Sequence, residues 1–165
     1  MKKSALGAMV CPVARALDAV GDGWTLMVVR ELFLGSRRFD DIAVQTGMSP
    51  HLLSVRLRKL VDAEILHKKP YQQRPARYEY RLTAKGRDLW PVVIALKQWG
   101  DRWGEWPDGP PLRLRHTGCG AVTEPVLVCP DCGEPVDALR MTAELGPAMG
   151  AERALKARGV VSLAA

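Results

Sequence analysis

Apolar positions along the chain fall into short periodic blocks separated by glycine, proline and serine. Cys11-Pro12 leads into Val13, Ala14, Ala16, Leu17 and Val20, a short helix with proline at its first position that ends at Gly21 and Gly23. A second apolar helix runs from Trp24 to Phe33 and is broken by Gly35-Ser36. Phe39, Ile42 and Ala43 restore helical spacing up to Gly47, a residue suited to the left-handed position at a helix C-terminus. Ser49-Pro50 restarts a helix at once, serine supplying the capping oxygen and proline the first-turn φ, and this helix runs to about Ala63. Two short helices joined around a glycine form a helix-turn-helix.

The period then changes from helical to alternating. Lys68-Lys69 leads to a polar tip at Gln72-Gln73-Arg74-Pro75, after which Arg77, Glu79 and Arg81 alternate with Tyr78, Tyr80 and Leu82. This predicts a hairpin with one buried and one wet face. Thr83 then caps a further helix in which Leu89, Val92, Val93, Leu96, Trp99 and Trp103 recur every three or four residues, bent early by Pro91. The expected fold is mainly α with a small β-wing: a winged helix-turn-helix domain followed by a zinc-ribbon-like β-hairpin extension. Pro107-Asp108-Gly109-Pro110-Pro111 is a rigid breaker, so the expected division is 1–106, 107–140 and a tail of 141–165 that is mobile or a short helix over Ala148 to Arg158.

At 100° per residue, Leu52, Leu53, Leu57, Leu60 and Val61 share one broad side of the helix that follows Ser49. His51, Ser54, Val55, Arg58 and Lys59 fall on the other side. The outward set suits a major groove: Arg58 for guanine edges, Ser54 and His51 for edges or phosphates, Val55 for a thymine methyl. The capping Ser49 belongs to the same candidate surface, whereas Arg56 lies at the apolar boundary, where an internal ion pair or a phosphate contact is expected. Arg74 at the hairpin tip, with Lys68, Lys69 and Arg77 on its limbs, suits phosphates or a minor groove, and Arg37 and Arg38 either do the same or brace the fold.

Charge sharpens this reading. The net +6 divides unevenly: residues 1–106 hold 18 Lys+Arg against 11 Asp+Glu, and the remainder holds 6 against 7. Residues 51–88 alone carry ten basic and four acidic residues, so any nucleic-acid surface should lie on the helix-turn-helix and wing, where double-stranded DNA is the expected partner. No apolar stretch approaches the ~20 residues of a bilayer span, and Met1-Lys2-Lys3-Ser4 leads into no long hydrophobic signal region. A cytoplasmic, nucleoid-associated protein without a membrane partner is expected. No glycine-rich phosphate loop or nucleophile motif is present, and the three histidines stand in unrelated contexts, which argues against an enzyme.

Residues 11–103 resemble the HxlR-type winged-helix transcriptional regulators of bacteria, relatives of the MarR regulators. The resemblance rests on Cys11-Pro12-Val13, Gly23-Trp24-Thr25, Arg30-Glu31-Leu32, Gly35-Ser36-Arg37-Arg38-Phe39, Leu53-Ser54-Val55-Arg56-Leu57-Arg58-Lys59-Leu60 and Tyr78-Glu79-Tyr80-Arg81-Leu82-Thr83-Ala84-Lys85-Gly86. It implies a homodimer on a roughly palindromic operator, with the terminal helices forming the dimer contact; a transcriptional regulator, with repression the expected mode and a small molecule or oxidant as effector, is the function expected of the chain. Asp22 and Ala63-Glu64 depart from the usual pattern of that family. Independently of the resemblance, Trp90, Trp99, Trp103 and Trp106 make the last helix richer in apolar surface than one small domain needs, which also points to self-association.

Four cysteines complete the inventory. His116-Thr117-Gly118-Cys119-Gly120 and Cys129-Pro130-Asp131-Cys132-Gly133 share one form, two ligands two residues apart followed by glycine. His116, Cys119, Cys129 and Cys132 are therefore the expected ligands of a closed, structural Zn²⁺ site, with a short hairpin between the knuckles from Ala121 to Val128. The competing reading is a Cys129–Cys132 redox pair. Cys11 precedes Pro12 at a helix N-cap, where the helix dipole favours thiolate; some relatives of the family use a cysteine there as a redox sensor. A zinc-ribbon adaptor for protein or RNA, with the winged helix as a dimerising scaffold, is the alternative function.

Overall fold

The computed structural model of the protein describes residues 4–158, so Met1-Lys2-Lys3 and the last seven positions of the expected tail lie outside the described residues. Two compact units are present, residues 4–90 with 146–158, and residues 91–145. The division falls after Trp90 rather than at the Pro107 breaker. Among the described residues no helix is long and apolar enough to cross a membrane.

The first unit opens with α1 (Ala5–Ala8) and α2 (Pro12–Val20), the latter starting on Pro12 and closing where the Gly21 N–H meets Leu17 O at 2.8 Å. Asp22 caps α3 (Gly23–Phe33): its carboxylate accepts from Thr25 N at 3.1 Å and from Thr25 Oγ1 at 3.3 Å, which satisfies a fully buried hydroxyl. α4 (Phe39–Thr46) ends on Gly47 at φ 69°, the left-handed position that glycine occupies without steric cost. Met48 is buried in the turn, and Ser49 Oγ accepts from Leu52 N at 3.3 Å to start α5 (Pro50–Asp62). The core is assembled from Val28, Val29 and Leu32 of α3, Ile42 of α4, and Leu53, Leu57 and Leu60 of α5, closed by Ile65 and Leu66. Leu52 and Val61 are only half-buried, so the inward stripe of α5 is narrower than the sequence pattern implied.

β1 (Leu66–Gln72) and β2 (Arg77–Leu82) pair antiparallel with Leu66 opposite Leu82 and Lys68 opposite Tyr80; the register shifts near Pro70 so that Gln72 faces Arg77. Only Leu66 at the root is buried, and Tyr78 is exposed. The expected buried face is thus confined to the base of the hairpin, because the limbs extend beyond the helices that could cover them. Arg37-Arg38 adds an isolated bridge to the edge of this two-stranded sheet: Tyr80 N donates to Arg37 O at 2.8 Å, and Arg38 bridges Glu79.

Thr83 caps α6 (Ala84–Arg87), accepting from Gly86 N at 3.1 Å while its own hydroxyl reaches Glu64 O at 2.7 Å. Glu64 takes the left-handed φ of 58° at the turn between α5 and β1, a conformation that a non-glycine residue rarely adopts. The single bent helix expected after Thr83 is in fact two. Pro91 has no N–H and its ring opposes the carbonyl four residues back, so α6 stops and a new helix begins at Trp90. Phe33 and Trp90 pack edge to face at 5.0 Å. α8 (Pro147–Ala157) belongs to this first unit; Glu152 Oε2 accepts from Val10 N at 3.3 Å, and the charged pair Lys156–Glu152 lies at 3.0 Å.

The second unit holds α7 (Trp90–Trp103) from Pro91 onward, whose Lys97–Asp101 pair follows i, i+4 spacing, and the extension. Trp106 indole N–H donates to Gly100 O at 3.3 Å and Gln98 Nε2 to Pro125 O at 2.6 Å. β3 (Leu114–Arg115) pairs with β4 (Val122–Thr123), and Val128 bridges Pro135. The expected hairpin from Ala121 to Val128 does not form. The short pairings instead flank each cysteine turn, because the turns themselves reverse the chain.

Candidate functional site

α5 separates its residues by face. Leu53, Leu57 and Leu60 are buried, while His51, Ser54, Val55 and Arg58 are exposed beside the exposed Ser49 cap. The remaining basic residues of the helix turn back into the protein. Arg56 pairs with Asp22 at 3.1 Å, so α5 is tied to the start of α3. Lys59 Nζ donates to Asp18 O at 2.7 Å, which commits it to the end of α2 and takes it out of the outward set predicted for it. A lysine near the apolar edge has enough stem to lie along the surface and seek the nearest free carbonyl.

The wing adds a second exposed surface. Lys68, Lys69, Arg74 and Arg77 are all exposed, and none of them, nor Arg58 or Arg37, pairs with a carboxylate among the described residues. Lys68 Nζ lies 5.8 Å from the rings of both Tyr78 and Tyr80. Arg38 does not stand free: its guanidinium lies 4.5 Å above the Tyr71 ring, bracing the wing against the segment before α4. Arg81 pairs with Glu79 at 2.8 Å. That hydrogen bond holds the Glu79 carboxyl below its ordinary range, and the charges of Arg37 and Arg38 act in the same direction. Tyr71 was missed as a partner of this surface; the only hint in the sequence was an aromatic residue beside the tip, which does not say which arginine it meets.

Cys11 is the N-cap of α2, but its side chain makes no capping hydrogen bond. It is half-buried in an open cleft lined by Met9, Met149, Glu152, Arg153 and Lys156, so charged partners come from α8, far along the chain. The cysteines of the extension are also free thiols. His116 Nδ1 lies 3.3 Å from Cys119 Sγ. In the second turn, the backbone N–H of Cys132, and then that of Asp131, hold the Cys129 thiol below its ordinary range. The four side chains form two pairs, and among the described residues no group of three or more His, Cys, Asp or Glu converges to hold an ion.

Comparison with known proteins places this architecture. The HxlR-like helix-turn-helix family matches residues 19–107. The chain is 46% identical over 142 residues to the HTH-type transcriptional regulator Rv3095 of Mycobacterium tuberculosis, covering 86% of this chain and 90% of that one. Among solved structures it is similar to PA1607, described as a transcription factor, with 34% identity, a TM-score of 0.75, and coverage of 86% of this chain and 99% of the other. It is also similar to the redox regulator HypR in its oxidized form, at 32% identity and a TM-score of 0.53, over 58% of this chain and all of that one. With a helix-turn-helix, a basic wing and these relatives, the chain belongs to the HxlR-like helix-turn-helix family and is a DNA-binding transcriptional regulator, not an enzyme.

Proposed function

We propose that the protein acts in the cytoplasm, on the nucleoid, as a homodimeric repressor that binds a roughly palindromic operator. The observation that carries this reading is the clean division of α5, with Leu53, Leu57 and Leu60 buried and His51, Ser54, Val55 and Arg58 exposed on the opposite side. In a major groove Arg58 addresses guanine O6 and N7, Val55 a thymine methyl, and Ser54 and His51 edges or phosphates. Ser49, Lys68, Lys69, Arg74, Arg77 and Arg37 take the phosphates or minor groove, while Arg38, Arg56 and Lys59 hold the reading elements in place. Self-association is supported by α7, whose Trp99 and Trp103 are 68% and 71% exposed in the single chain. A two-fold dimer then reads two half-sites about one helical turn (~34 Å) apart.

Arg58→Ala is expected to weaken operator binding by about 1–3 kcal/mol and to relax selectivity at one base pair. Arg74→Ala should weaken every duplex about equally and make binding less steeply dependent on salt. Fluorescence anisotropy on operator and scrambled duplexes across a salt series separates the two. An adaptor for protein or RNA would show little duplex preference in either variant, and that result would replace the repressor reading.

Redox control through Cys11 is a second reading, supported by the similarity to HypR and by the charged cleft around the thiol. Alkylation would attach an electrophile at Sγ and release a proton; an oxidant would instead take two electrons, with two thiols losing their protons to form a disulfide. Wild-type operator affinity is then expected to fall at least tenfold on oxidation, with Cys11→Ser unresponsive. Equal affinity of both proteins in both conditions removes the proposal.

A further inference from the structure

The two cysteine turns are copies of one backbone design, thirteen residues apart. In the first, His116 N donates to Ala121 O at 2.9 Å and Gly120 N to His116 O at 2.8 Å. In the second, Cys129 N donates to Glu134 O at 2.8 Å and Gly133 N to Cys129 O at 2.8 Å. Gly120 and Gly133 both sit at φ 73°, the left-handed conformation that lets the chain fold back directly after the second ligand. The residue before each turn pairs with the residue after it in the same register, Arg115 with Val122 and Val128 with Pro135.

This sameness discriminates between the two chemistries open to Cys129 and Cys132. A redox dithiol accounts for the second turn but leaves the first, where the partner of Cys119 is a histidine, without a reason. A metal accounts for both. In the first turn the imidazole already faces the thiol: His116 Nδ1 to Cys119 Sγ is 3.3 Å, against about 3.5 Å between ligand atoms in a tetrahedral site with Zn–S near 2.3 Å and Zn–N near 2.05 Å. Gly118 makes room for the ring, since a Cβ there would lie 2.9 Å from Cε1.

The surrounding chain is held only by short strand pairs and a few polar contacts, without a core. From residue 107 to 140 no residue is buried, and Leu139 is 98% exposed. A segment without a core needs a covalent or metal staple to stay ordered. Its three free thiols, Cys119, Cys129 and Cys132, together with the His116 imidazole, are the donor set that suits such a metal staple.

From the paired turns we infer a structural Zn²⁺ site in which His116 and Cys119 from one turn, and Cys129 and Cys132 from the other, hold one ion. Each turn supplies half of the ligand set, two donors from each, on the same backbone framework. Three thiolates and one imidazole fill a tetrahedral shell, so no position remains for water and the ion has no catalytic role. This inference is independent of the DNA-binding reading, since the ligands lie outside the helix-turn-helix and wing.

Elemental analysis of the full-length protein after metal-replete expression, combined with thiol titration, tests it. About one zinc per chain is expected, with the thiols of Cys119, Cys129 and Cys132 unreactive until a chelator is added. His116→Ala and Cys129→Ser should each lower the bound zinc at least fivefold, and His116→Cys should restore it, while the thermal unfolding of the winged-helix unit is retained in all three. Cobalt substitution of the wild type should give the visible absorption of a tetrahedral thiolate site and serves where a variant is too unstable to analyse. Less than about half an equivalent of zinc, full retention of zinc in both His116→Ala and Cys129→Ser, or a zinc-free chain two hydrogens lighter through a Cys129–Cys132 disulfide would each overturn the site.

Discussion

Leu57→Ala should destabilise the first unit by about 3 kcal/mol, within the usual 2–5 kcal/mol for removing a buried leucine. Leu57 is 1% exposed and stands midway between Leu53 and Leu60 on the inward stripe of α5. That helix packs on α2, α3, α4 and β1, so the cavity left by the missing methyl groups is walled on several sides and cannot collapse by moving one neighbour. For a cooperative unit of about 100 residues the loss corresponds to a fall in Tm of roughly 12–24 °C. Urea and thermal unfolding of wild type and variant measure it. A loss below about 1 kcal/mol would mean that this stripe of α5 does not face the core, and the assignment of the opposite face to DNA would go with it.

Gly86→Ala should cost about 3 kcal/mol, at the upper end of ordinary overpacking, although alanine is the better helix former by about 1 kcal/mol. A Cβ at Gly86 would lie 2.2 Å from Ile65 O and 3.0 Å from Leu82 Cδ2. The carbonyl cannot easily give way, because it accepts from Thr83 N at 3.0 Å and lies 3.2 Å from Thr83 Oγ1. Those bonds join the base of the wing to the cap of α6, so the strain falls on the piece that aims the wing. Gly150 in α8 is the control: a Cβ there meets nothing within 4 Å, and Gly150→Ala should be neutral or stabilising by a few tenths of a kcal/mol. If both substitutions moved stability in the same direction, the close approach at Gly86 would be refuted.

Local signals were the ones the sequence carried openly. Ser49-Pro50, Gly47 and Thr83 mark their boundaries through chemistry confined to one turn, and each acts in the structure as it reads on the page. The contrast between Leu53, Leu57 and Leu60 and the face of Ser54 and Arg58 is likewise a property of one helix. What stayed hidden depends on partners distant in the chain. Lys59 reads as an outward residue until α2 offers the carbonyl of Asp18, and Gly86 reads as an ordinary turn of helix until Ile65 arrives beside it. Arg37-Arg38 reads as a basic approach to α4, and only pairing with Glu79 and Tyr80 ties it to the edge of the wing. The spacing of the cysteine turns was legible; the flanking pairs, two residues or fewer in length, have no periodicity to detect.

The contact of α8 with the start of the first unit joins ends that are more than 140 positions apart in the chain. The surroundings of Cys11 are consequently written at the opposite terminus, in a segment beyond residues 19–107 that identify the family. A relative that shares the winged helix but ends before such a segment would present its corresponding thiol to a different set of charges. On the proposed redox reading of Cys11, sensitivity to electrophiles can then diverge among regulators with the same reading head, through changes in a C-terminal helix outside the helix-turn-helix and wing.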